Sequence, residues 1–526
     1  MSALILPSRA RLVFMAILLA SAALISAPVS TTALSDAAGP NDIYVGASPA
    51  ADGGESSCEE PDYSTDDDDI QVALSQALED VNDDGDVVII CDGAYAYTGH
   101  FPQYVGGTGG RHPSVTIRAA DAASVVLDGA DDSYQLLNFA ETDVTISGLV
   151  FADSAGSAIY ATSELGGHTL RVEHSEFHGN HADYGAAIFT QNMDLSVVSS
   201  VFGALSDNEE TGYYVETGNA SSWDGGAIFV SGSELAQPAE IAINDSAFVG
   251  NVAEVSSGGA IIAEGEVRLT VSNSSFSANQ AGVDVDGCGG AIYLHNVFGA
   301  HINNSTFTEN EARYTGGAIA SQTCQDVTHS GDPYTEAILV VRSSSFTGNS
   351  AFCAGGAIES LALRVSGSRF EANDAGECAG GAIASPGVRR GTPFELLGNR
   401  FIANTLDEPG GDACCHGGAV YLTYSNNDAG ASPMIKANMF LLNTSDAFGG
   451  GLNLQGAMNV HGISRNTFSA NSAVRGGGIS LSACSFNLFP RRAVSELMRA
   501  NRFRSNRAEA RRESNVFRST DDDCLE

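Results

Sequence analysis

The chain has 526 residues, with 25 Lys and Arg against 64 Asp and Glu, for a formal net charge of −39. A surface this acidic argues against nucleic acid and anionic membrane as partners. Fifty-nine glycines among mostly short polar residues fit a turn-rich β structure.

Arg9 and Arg11 precede an apolar run from Leu12 to about Ala27, and Thr31-Thr32-Ala33 supplies a cleavage site. Residues 1–33 therefore read as an export signal, leaving a mature chain with no integral membrane span. In an exported chain the ten cysteines favour disulfides over metal sites. Residues 34–114 read as an N-terminal cap. Ile43–Ser48 is an opening strand, an acidic loop ends in Asp66–Asp69, and a short helix follows over Ile70–Val81. Its apolar face is Ile70, Ala73, Leu74, Ala77, Leu78 and Val81, with Asp69 as N-cap. Asp83–Tyr95 then enters a buried strand, and Cys58 and Cys91 are expected to staple the cap. Asp80–Asp86 matches the first half of a calcium loop through Asp80, Asn82, Asp84 and Gly85. Cys91 occupies the position of the bidentate Glu, and a β run replaces the exiting helix. No cofactor is expected, and Ca2+ is a metal the sequence raises without supporting.

From residue 115 to 489 the chain repeats. Phe-x-x-Asn recurs at Phe177, Phe248, Phe276, Phe307, Phe346, Phe370, Phe401, Phe440 and Phe468, and once more at Phe503; Phe202 lacks its Asn. A Gly-Gly-Ala-Ile element alternates with it at Gly225, Gly258, Gly289, Gly316, Gly355 and Gly380. It becomes GGAV at Gly417 and GGG at Gly449 and Gly476, with a weakened first copy at Gly185. Such a period marks a solenoid. The reading is an all-β, single-stranded right-handed parallel β-helix of the pectin-lyase type, with an N-terminal capping helix. Equivalent positions stack at the inter-strand spacing, so the Phe residues form an inner column and the Asn residues sit at turns. The period-2 rule turns Ile228, Ile261, Ile292, Ile319, Ile358 and Ile383 inward and sends Phe229, Ile262, Tyr293, Ala320, Glu359 and Ala384 to a solvent-facing wall. Cys353 and Cys378 share one slot on neighbouring coils, close enough to bridge. Cys414 and Cys415 occupy the next such slot, where one of them competes for Cys378.

The pairing of GGAI with FxxN resembles the repeats of the polymorphic outer membrane proteins (Pmp-like) over about Phe177 to Asn506. That resemblance implies a right-handed parallel β-helix at the cell surface, with adhesive roles and often an autotransporter's membrane barrel. Only about fifty residues follow Gly476, too few for a barrel, and no C-terminal apolar anchor is visible. Residues 490–526 turn Arg-rich instead, nine Arg against seven acids. They read as one more coil with a frayed or partly helical tail that covers the open edge.

Function is less legible. The largest insertion, Gly203–Asp224, carries Tyr213, Tyr214 and Trp223, a candidate ligand loop. Glycoside hydrolysis needs two facing carboxylates. Glu359 has no acidic partner in its row, and Asp128 belongs to an ordinary Leu-Asp-Gly turn beside Asp131 and Asp132. No G-x-S-x-G, H-E-x-x-H or P-loop pattern occurs. The expectation is a secreted or cell-surface, non-catalytic adhesion scaffold taking a surface glycan or a protein ligand. The alternatives are a polysaccharide lyase or glycoside hydrolase, which requires an outward groove with clustered acids and a sugar-binding aromatic, and a structural envelope component.

Overall fold

The computed structural model describes residues 42–46, 57–64, 70–81, 86–97, 104–105 and 114–518, the last range apart from a number of segments of which the longest are 322–337, 407–416 and 425–431. The export-signal reading over residues 1–33 lies outside the described residues, as do the acidic loop Asp66–Asp69 with its N-cap Asp69, Asn82–Gly85 of the calcium-loop match, Asp131, Asp132, Cys414 and Cys415. The chain is a right-handed parallel β-helix, the hand that parallel crossovers take. Four parallel sheets hold 15, 14, 14 and 11 strands. The first coils run through A, B and C, and from Thr169 onward the coils visit them in the order A, B, D, C. One coil, for example, runs through Thr169–Glu173 in A, Glu176–His178 in B, His181–Tyr184 in D and Ile188–Gln191 in C.

Phe151 to Phe503 form one column inside sheet B, with ring centroids 4.6–5.2 Å apart and planes nearly parallel. The column starts one coil before the first recognisable FxxN, because Phe151 is followed by Ser154 where later coils carry Asn. That serine accepts the same place, donating from Oγ to Asn180 Oδ1 at 2.9 Å.

The Asn slot is a buried ladder. Asn310 donates through Nδ2 to the Phe276 carbonyl at 3.0 Å and to Asn349 Oδ1 at 2.9 Å, and the pattern repeats coil after coil. Phe202 has its Asn after all. The insertion is an antiparallel hairpin, Leu205–Asn208 with Tyr213–Glu216, placed between Phe202 and Asn219. Asn219 completes the ladder, accepting from Asn180 Nδ2 at 2.8 Å and donating to Asn251 Oδ1 at 2.9 Å. A second ladder, two residues before each Phe, runs through Ser344 and Ser368 into Asn399, Asn438 and Asn466.

The Gly-Gly bend folds the chain back over the outer face of sheet C. Gly289 sits at φ +66°, and a Cβ there would meet the Ile292 carbonyl at 2.2 Å; one on Gly290 would meet the Gly317 carbonyl of the next coil at 2.2 Å. This bend corrects the expected solvent-facing wall. The outward residues Phe229, Ile262, Tyr293, Ala320, Glu359 and Ala384 are all buried under the turns. Period-2 alternation fixes a side chain's direction and says nothing of what covers it.

At the N-terminal end, α1 (Ile70–Glu79) buries Ile70, Ala73, Leu74, Ala77 and Leu78, closing the core as expected. The cap is already part of the helix, since Asp42–Gly46 and Val87–Ile90 are strands of sheet A. At the other end the order differs from expectation. Helix α2 (Arg491–Ala500) precedes the last coil and buries Ala493 and Leu497 beside Phe489; strands Arg502–Arg504, Arg507–Ala508 and Val516–Arg518 follow it.

Both expected disulfides are present. Cys58–Cys91 joins cap to first coil with Cα atoms 5.5 Å apart, and Cys353–Cys378 joins adjacent coils at 4.6 Å. The latter closes a 25-residue separation. Replacing both Cys353 and Cys378 by Ala is expected to cost about 3 kcal/mol, read as a lower denaturant midpoint.

Candidate functional site

The outward row of sheet C differs along the helix. Tyr160, Phe189 and Phe229 stand in register on three successive coils, continuing to Ile262 and Tyr293. Towards the C-terminus Gly-Gly bends cover the row. In the first two of these coils the bend is written Gly156-Ser157 and Gly185-Ala186, and Tyr160 and Phe189 emerge half-buried. The rings stack on one another, Tyr160 on Phe189 at 4.6 Å and Phe189 on Phe229 at 5.1 Å. They therefore present edges, while Tyr184 stands edge-on to Phe229 at 5.3 Å and is 40% exposed.

These rings floor a groove of about 830 Å³. One wall is His181–Tyr184 of sheet D, and Gln191, Ser231 and Glu264 run beside the floor as the next outward row of sheet C. Ser157, Ser222 and Ser233 add hydroxyls. Some of this rim is structural: Ser157 Oγ donates to the Tyr184 carbonyl at 2.9 Å.

Two acids line the groove, Asp183 and Glu264. They belong to coils two apart, since the Ile188–Gln191 strand pairs with Ile228–Gly232 and that with Ile261–Gly265. Two coil spacings are about 9.5 Å along the axis before any lateral separation between sheets D and C is added. A carboxylate pair for glycoside hydrolysis sits roughly 5–9.5 Å apart. The two backbone levels thus lie at the upper edge of that range.

The residues singled out from sequence are dispersed. Tyr213 and Tyr214 lie in the second strand of the hairpin. Trp223 is 48% exposed and lies between Ser222, which lines the groove, and Asp224, which accepts the Ser257 N–H at 3.0 Å. Asp128 is the turn residue it was read as, accepting the Ala130 N–H at 2.8 Å. His178 pairs with Glu176 at 3.1 Å on the outer face of sheet B, holding that carboxyl below its usual range. Among the described residues no group of three His, Cys, Asp or Glu side chains converges as a metal-ligand set, and no helix is long and apolar enough to cross a membrane. Sequence reasoning missed the aromatic floor. Its signal was an aromatic at the position after Ile159, Ile188 and Ile228, in coils whose glycine motif is weakest at the start.

No protein-family model matches the chain, and no curated protein matches it. Two solved structures do. One is described as a new PL6 alginate lyase in complex with a trisaccharide; it is 14% identical over 86% of this chain and 90% of that one, with a TM-score of 0.37. The other is the PL6 family alginate lyase AlyGC, 10% identical over 90% of each chain, with a TM-score of 0.20. Similarity at that level carries no information on activity.

Proposed function

We propose that this protein is an exported β-helix that binds a polysaccharide strand in the groove on sheet C. One observation carries the reading: an aromatic floor beside a rim of hydroxyl and amide groups. That combination engages the apolar face of a sugar ring and its hydroxyls together. The signal-like residues 1–33 and the Pmp-like repeats support a place outside the cell or on its surface, in adhesion or surface interaction. A purely structural envelope role leaves the groove without use.

A second reading, cleavage of the bound strand, is favoured by the groove itself and by His181 and Tyr184 on its wall. Both side chains are of the type that accepts or donates a proton in catalysis. Asp183 and Glu264 line the same groove at levels two coils apart.

A glycan-binding and cleavage screen on the signal-free protein tests both. Binding is expected, and Tyr184→Ala, an exposed ring, is expected to weaken it about tenfold with the circular dichroism unchanged. Trp223→Ala reports whether the neighbouring strand takes part. Release of unsaturated or reducing ends establishes the cleavage reading; no binding to any glycan overturns both.

A further inference from the structure

Resting on the glycan reading of the groove, we infer that its ligand is an uncharged polysaccharide and that the site rejects polyuronates. A strand of uronic acids carries a carboxylate on every sugar. Proteins that hold such strands must offset those charges at close range, with guanidinium, ammonium or a bound cation, because burying an uncompensated carboxylate is costly.

This groove offers the opposite. Neither Arg nor Lys is among its lining residues, which include two carboxylic acids, Asp183 and Glu264, and one imidazole, His181. They stand at two levels of the groove, two coils apart, so a strand laid along the axis passes both. The surroundings add to this, since the whole chain carries −39 and its single lysine is Lys436, far along the helix. The polar groups that remain, Gln135, Gln191, Ser222 and Ser231 among them, are neutral donors and acceptors matched to hydroxyls. The groove spans the coils from Gln135 to Gly265, five in all, or about 19 Å along the axis. That is room for several sugar rings in a row.

The test compares two ligand classes on the full mature protein by calorimetry or affinity electrophoresis, at low and high salt. The neutral class is cello-, manno- and xylo-oligosaccharides of increasing length; the acidic class is alginate and polygalacturonate. A neutral series is expected to bind, with affinity rising with length until the groove is filled and nearly independent of salt. Polyuronates are expected not to bind at low salt. In the D183N/E264Q double variant, polyuronate affinity is expected to rise about tenfold or more, while neutral-glycan affinity moves less than about threefold. Polyuronate binding that is tightest at low salt, or that appears on adding calcium, overturns the inference while leaving the glycan reading intact. Failure of both classes, with Tyr184→Ala behaving as wild type, overturns the glycan reading and the inference with it.

Discussion

Replacing Asn310 by Ala is expected to destabilise the middle of the helix by about 4 kcal/mol, although the side chain touches no candidate ligand site. Asn310 is completely buried. Its Oδ1 accepts the backbone N–H of Asn279 at 3.1 Å and the Asn279 Nδ2 at 2.8 Å. Its Nδ2 donates to the Phe276 carbonyl and to Asn349 Oδ1. Truncation removes four hydrogen bonds and leaves the Asn279 N–H with no acceptor in a dry corner. A lost bond costs about 1 kcal/mol and a stranded buried donor 1–3 kcal/mol more. Because each coil contacts only its neighbours, the damage is expected to be local. Amide exchange is expected to accelerate from Asn279 to Asn349 and to stay slow near α1. Thr308→Ala, on the outer face of the same coil, is expected to change stability by less than about 0.5 kcal/mol. If Asn310→Ala costs no more than Thr308→Ala, the ladder is not what holds the B–D corner.

The same ladder shows why the fold was legible in sequence and the site was not. At the Phe, Asn and Gly-Gly positions the geometry strongly favours one residue type: a ring that stacks on its copies, an amide that both donates and accepts across coils, a bend whose Cβ would strike a carbonyl. Repetition then writes the architecture in the chain. Where the pattern broke, local reading broke with it. Asn219 was hidden because the hairpin separates it from Phe202, and Phe151 because Ser154 stands in for the amide. The Ser-to-Asn ladder two residues before each Phe was written equally plainly, as Ser344, Ser368, Asn399 and Asn438, but was masked by the stronger motif beside it.

The groove has no such signature. Tyr160, Phe189 and Phe229 are far apart in sequence and meet through coil stacking. What leaves Tyr160 and Phe189 half-exposed is a weakening of the bend, at Gly156-Ser157 and Gly185-Ala186, while Phe229, after the regular Gly225-Gly226 bend, is buried. The regular repeat buries the outward face of sheet C, so a binding surface there requires that the repeat be relaxed. Irregularity is thus where to look for function in this chain, and its hairpin and its weak bends fall within the coils, Gln135 to Gly265, that the groove spans.

Glu359 is the one place where the regular wall carries an acid, and there the expectation of a solvent-facing position has a measurable consequence. The residue lies between Ala320 and Ala384 on the buried outward row and is 3% exposed. Burial pushes its carboxyl up to about 8, from an ordinary value of 4.5. In the unfolded chain the proton leaves near 4.5; in the folded chain it is held until about 8. Between those values the folded state binds more protons, so this group makes stability fall as pH rises through that window, and it contributes no penalty below it. Glu359→Gln keeps the shape and removes the titration. The variant is expected to match wild type at pH 4 and to exceed it by about 3 kcal/mol at pH 7, with the gap levelling off above pH 8. Many other carboxylates in so acidic a chain titrate over the lower part of this range, so the informative quantity is the difference between the two proteins' denaturant midpoints at each pH. A difference that does not change between pH 4 and pH 8 means that Glu359 is ionised in the folded state and that the wall is wet at this coil.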